Sequence, residues 1–201
     1  MTFYPYLARN QEESLLRKIK SSLLIIGTLA SGGYFVFSFI VRLFIKKYIP
    51  SLDIISILFA EFPALIIINA LYVNLYKVQK QERLYFFTVL KMLIITILLN
   101  TLSVIIYRKP QDIALATTIS FYVWYVYSAR HFKTLKINLK ELIYLLLYLC
   151  VFFISIIYFS LWQGAISYLI AIGAVNLIFY SSEIKGLIGD NLKNILMERH
   201  Q

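Results

Sequence analysis

Residues 84–107 read LYFFTVLKMLIITILLNTLSVIIY, with Lys91 as their only charged residue. The run LIITILL at 93–99 does not alternate polar with apolar residues, so it is not the face of a barrel strand. Twenty-four residues at ~1.5 Å rise cover the ~30 Å hydrocarbon core of a bilayer. Hydrocarbon offers no partner to bare N–H and C=O groups, so the segment must bond its own backbone as a helix.

Five further stretches share this character. LLIIG (23–27) lies within segment 21–45, and ALIII (64–68) within 51–76. Segments 111–129, 141–162 and 164–182 complete the set. Sixty per cent of the 201 residues are apolar and the mean hydropathy is +0.75, more than a soluble core of this size can hide. The expected fold is an all-α polytopic membrane bundle of six transmembrane helices. Residues 1–20 form an amphipathic lead-in, 21–182 the bundle, and 183–201 an amphipathic tail.

The basic residues orient the bundle. With the N-terminus cytoplasmic, fourteen Lys and Arg fall on the cytoplasmic side, among them Arg17, Lys20, Lys77, Lys80, Lys133, Lys136 and Lys140. Five fall outside: Arg42, Lys46, Lys47, Arg108 and Lys109. That asymmetry follows the positive-inside rule and puts both termini in the cytoplasm. It also accounts for the net charge of +10 without nucleic acid, since the basic loops lie against anionic lipid head groups. The first span itself is expected to direct insertion, because residues 1–20 lack the apolar run of a cleavable signal.

Local signals refine the spans. Gly27, Ala30 and Ser31-Gly32-Gly33 permit close helix approach and a bend. Pro50 stops one helix, and Ser51 can cap the next. Pro63 removes a backbone donor and should kink its helix. Cys150, the single cysteine, excludes an internal disulfide and reads as a buried small hydrophobe. Ile184, Leu187, Ile188, Leu192, Ile195 and Leu196 recur at helical spacing in the tail.

Chemistry is scarce. No His pair at metal spacing, no Gly-x-Ser-x-Gly and no phosphate-binding glycine loop is present, so neither an enzyme nor a metal or other cofactor is expected. Ionisable groups inside spans are the unusual feature, because a mid-bilayer charge costs on the order of 3 kcal/mol. Glu61 is about ten residues from the outer end of its span, and Lys91 about seven from the cytoplasmic end of the next. One reading is a hydrophilic cavity lined by Glu61, Lys91, Asn69 and Asn100. The other has Lys91 snorkelling to the surface and Glu61 neutral or satisfied locally. Arg42 and Asp53 are either interfacial anchors, paired across the outer turn, or the mouth of a pathway. The aromatics Tyr122, Trp124, Tyr125 and Tyr127 form an interfacial belt or a stacking surface for sugar rings.

The order of features resembles a known family. Phe3-Tyr4-Pro5-Tyr6-Leu7-Ala8 precedes the first span. An outer turn runs from Arg42 through Lys46-Lys47-Tyr48-Ile49-Pro50 to Asp53. The next span ends Leu71-Tyr72-Val73-Asn74-Leu75-Tyr76-Lys77, and Lys80-Gln81-Glu82 leads to Tyr85 and a span closing at Leu98-Leu99-Asn100. This resembles the C-terminal half of polysaccharide flippases, the O-antigen or teichoic-acid type exporters of the MATE-like superfamily. The resemblance implies a bacterial cytoplasmic membrane, a lipid-linked oligosaccharide moved between leaflets, and two lobes around a cavity. Six helices would supply one lobe, so a second is expected from another chain or a homodimer. The alternative is a non-transporting assembly partner in envelope polysaccharide synthesis, or an inactive truncated remnant of such a transporter.

Overall fold

A computed structural model describes the backbone of residues 12–198, together with Pro5, Leu7 and Ala8, and side chains through Glu183. Among the described residues every regular element is helical. Helix α1 (Glu13–Ser31) continues into α2 (Gly33–Phe44) across a break at Gly32, where the small-residue run predicts a bend. The last eight residues of the lead-in are therefore the first turns of the first spanning helix. Residues 1–4, 6 and 9–11 lie outside the described residues.

The turn after α2 is a 3-10 helix, Lys46–Ser51, with Pro50 inside it. Ser51 makes no side-chain cap, contrary to expectation, because its own backbone is already helical (φ −80°, ψ −11°). The second span is broken. Helix α3 (Leu52–Phe59) ends at Ala60, α4 (Phe62–Ile67) restarts with Pro63 as its second residue, a π turn covers Ile68–Tyr72, and α5 (Val73–Val78) finishes it. The two halves meet at 50°. Pro63 explains the break; the sequence carries no signal for the π turn. The remaining helices are α6 (Glu82–Ile106), α7 (Pro110–His131), α8 (Leu139–Ile157) and α9 (Leu161–Glu198). Tyr180 (φ −134°, ψ 35°) kinks α9 between spanning and tail portions. The tail's backbone is helical through Glu198, while the side chains behind the amphipathic reading of 184–196 lie outside those described.

Among the described residues four helices are long and apolar enough to cross a membrane: Glu13–Phe44, Glu82–Ile106, Leu139–Ile157 and Leu161–Glu183. The bent pair α3–α5 makes a fifth if it is one span. Helix α7 has the length but, with Thr117, Thr118 and Ser120 in its middle, not the same apolarity.

Packing runs from α6 through α7 and the broken span to α1, then to α9 and α8. Gly27 lets α1 approach α4 closely: a Cβ there would stand 2.6 Å from Pro63 Cα. One buried cluster holds Leu24, Ile67, Tyr72, Tyr76, Phe132 and Leu135, and a second holds Tyr34, Phe35, Phe152, Tyr168 and Ile172. Helix α6 is outermost, with only 6% of its most apolar stretch buried. Its exposed leucines, isoleucines and phenylalanines suit acyl chains, which solvate them as well as a protein core does. Cys150, expected inside, faces outward among such residues.

Candidate functional site

The break in the second span creates the polar centre of the bundle. With no N–H at Pro63 and a turn at Ala60-Glu61, helix carbonyls near the break lose their usual partners. Other helices supply hydroxyls. Tyr122 of α7 donates to Ala60 O at 2.8 Å, and Thr118 to Ile57 O at 3.0 Å. Tyr148 of α8 lies 3.2 Å from Ala60 O and 2.7 Å from Ser31 Oγ, with one proton to share. The seam continues between α1, α8 and α9. Tyr144 donates to Asn176 Oδ1 at 2.6 Å and contacts Thr28 Oγ1 at 2.9 Å, while Tyr168 donates to Thr28 O. Tyr144, Tyr148 and Tyr168 are buried and Tyr122 is half-buried, and each bonded hydroxyl avoids the cost of an orphaned polar group in a low-dielectric interior. Sequence reasoning missed this seam. The Tyr144/Tyr148 spacing of four was its one visible trace.

Glu61 sits at the break, half-buried. Its Oε2 is enclosed and has no hydrogen-bond partner. No ion pair links it to Lys91 among the described residues. Lys91 is exposed on α6. Its ammonium donates to Tyr127 Oη at 3.1 Å and lies 5.6 Å from that ring's centre. Asn100, further along α6, accepts from Thr117 Oγ1 at 3.3 Å. Lys91 and Asn100 are thus two rungs joining α6 to α7. Asn69 is exposed and donates to Leu65 O of its own helix at 3.0 Å. Asn74 likewise bonds Ala70 O at 2.8 Å beside the π turn. The hydrogen bonds of Lys91, Asn100 and Asn69 thus run to α7 and to their own helix rather than to Glu61.

Arg42 and Asp53 form no ion pair with each other. Arg42 Nε donates to Ser38 Oγ at 3.3 Å, and Asp53 is exposed in the first turn of α3, where a negative charge suits the helix dipole.

Helix α7 instead presents an open groove of about 430 Å³, lined by Ile119, Tyr122, Val123, Val126, Tyr127 and Arg130. Its walls are apolar and aromatic. Arg130 stands at one end, where Tyr127 also holds Lys91. His131 adjoins this end: its ring meets Tyr127 edge-on at 4.9 Å, and Nδ1 lies 3.1 Å from Tyr76 Oη. No cluster of His, Cys, Asp or Glu among the described residues is arranged to hold a metal ion. The chain matches no protein-family model, no curated protein and no solved structure.

Proposed function

We propose that this chain crosses a bacterial cytoplasmic membrane six times, both termini inside, and forms one lobe of a flippase for lipid-linked oligosaccharide. The sixth crossing is α7, whose polar middle faces the broken span. The carrying observation is the α7 groove. Its apolar floor suits a hydrocarbon tail, and Arg130 with the nearby Lys91 suits the phosphate at the head of such a lipid. Tyr122 and Tyr127 offer ring faces for sugar stacking. A second lobe, from another chain or a second copy, would close over this groove, and rocking of the lobes would alternate access. The reaction needs no covalent chemistry and no cofactor.

The test is reconstitution of the chain, with any second lobe, in vesicles carrying a fluorescent lipid-linked oligosaccharide. Arg130→Met and Lys91→Met should each lower transport at least about tenfold, the scale of one charge-assisted contact to phosphate. Transport at wild-type rate in both variants, or no binding or movement by the intact chain, would sink the reading. The latter outcome would favour a non-transporting assembly partner. One observation bears on that second reading: Lys91, Asn100 and Asn69 spend their hydrogen bonds on α7 and on their own helix rather than on Glu61.

A further inference from the structure

A second site lies away from the α7 groove and stands independently of the transport reading. A cavity of about 420 Å³ opens between the start of α1, the 132–138 connection, the N-terminus of α8 and the Tyr180 kink. The connection is pinned rather than loose. Arg17 Nε donates to Thr134 O at 3.2 Å, Lys20 Nζ donates to Leu135 O at 2.9 Å, and Leu135 is fully buried. Lys20 and Glu141 neutralise each other on the cavity's wall. That leaves Lys133, Lys136 and Lys140 around the space together with Arg17, whose guanidinium also lies 3.8 Å from the exposed Glu13 carboxylate, and Glu183 opposes them. Holding four cations on a pinned frame is unfavourable unless an anion offsets their repulsion. The N-terminus of α8, capped by Asn138, adds a positive dipole end to the same cavity.

Glu141 refines the ligand. The residue is 95% buried and lines the cavity; Oε2 takes Lys20, while Oε1 has no partner. An unsatisfied buried carboxylate oxygen calls for a donor. We propose that this cavity binds a phosphate-bearing ligand that also carries a hydroxyl or ammonium donor beside the phosphate. The cavity lies where α1 enters the apolar part of its span, at head-group depth, so the natural source is an anionic phospholipid such as phosphatidylglycerol. Free phosphate shares the chemistry and is the competing source. Seated there, the head group would tie α8 and the connection to α1 at the membrane surface.

The experiment uses the full chain in nanodiscs of phosphatidylcholine doped with phosphatidylglycerol. Native mass spectrometry counts the lipids retained, and inorganic phosphate serves as competitor. Wild-type protein should retain phosphatidylglycerol over phosphatidylcholine. The double variant Lys133→Ala/Lys136→Ala should lose that preference by about tenfold or more, since each lysine near a membrane surface adds appreciably to anionic-lipid binding. Both lysines are exposed, and circular dichroism should show unchanged helix content. The control Lys77→Ala/Lys80→Ala removes equal charge from another loop and should keep the preference. If inorganic phosphate binds with the same dependence on Lys133 and Lys136, the site stands and its ligand is soluble. Equal retention of both lipids with no phosphate binding, or equal losses in the two double variants, overturns the proposal.

Discussion

Lys20 Nζ lies 2.8 Å from Glu141 Oε2, across 121 residues of sequence, with both side chains buried. This contact clamps α1 to the start of α8, two helices otherwise joined mainly by long tyrosine side chains. A buried pair is a weak source of net stability, because desolvating two charges consumes most of the attraction. Breaking it is another matter, since one charge is then left alone.

Lys20→Met should therefore destabilise the bundle by about 3–5 kcal/mol, and Glu141→Gln by a smaller amount because it leaves a neutral amide. Lys20→Met combined with Glu141→Leu should recover most of the loss. Unfolding in mixed micelles, followed by circular dichroism, measures all three. Additive losses in the double variant would show that the two residues act separately.

Gly27→Ala should cost about 1–3 kcal/mol, because the new Cβ would meet Pro63 Cα at 2.6 Å and backbone must shift. Gly173→Ala is the matched control. A Cβ there meets nothing within 4 Å, so it should be neutral or stabilise by up to ~1 kcal/mol through helix propensity. Thermal midpoints of the two proteins give the answer, and similar behaviour would mean that α1 and α4 are not packed at Gly27.

Tyr122→Phe and Tyr148→Phe each remove a hydroxyl from Ala60 O. Each should cost about 1 kcal/mol, and the pair more than their sum, since only the double variant strips that carbonyl of both. The same micelle unfolding assay checks this. Strict additivity would mean another group serves Ala60.

Topology is open to thiol labelling in a Cys150→Ala background. Lys109→Cys should react with a membrane-impermeant maleimide in intact cells. Gln79→Cys and Lys136→Cys should react only after permeabilisation. Labelling of Lys109→Cys and Lys136→Cys from the same side would remove α7 from the count of spans; the reverse pattern throughout would invert the orientation.

Some features were legible because they depend on a residue and its near neighbours. Pro63 breaks its helix wherever that helix goes, since the missing N–H is local. The small run at 27–33 announces a close approach, which occurs between Gly27 and Pro63, and the helix assignment is interrupted at Gly32. The cavity expected around Glu61 and Lys91 is different. Depth along a span follows from counting residues, but which way a side chain points, and which helix stands beside it, do not. Lys91 and Asn100 turn to α7, Asn69 returns to its own helix, and Glu61 stays at the break. Cys150 fails for the same reason, because an apolar residue in a span suits either lipid or core.

By itself the sequence determined helices, because backbone groups in hydrocarbon can be satisfied only within their own helix, while four or five of the six expected segments form helices long and apolar enough to span. Its basic residues set the expected orientation. Tertiary structure alone decided the partners: Tyr122 and Tyr148 on the carbonyl at the Pro63 break, Lys20 on Glu141, and four cations around one pinned cavity. Lipid solvates every apolar face about equally, so apolarity cannot choose a helix's neighbour. Small residues that fit closely and buried polar groups that need partners make that choice.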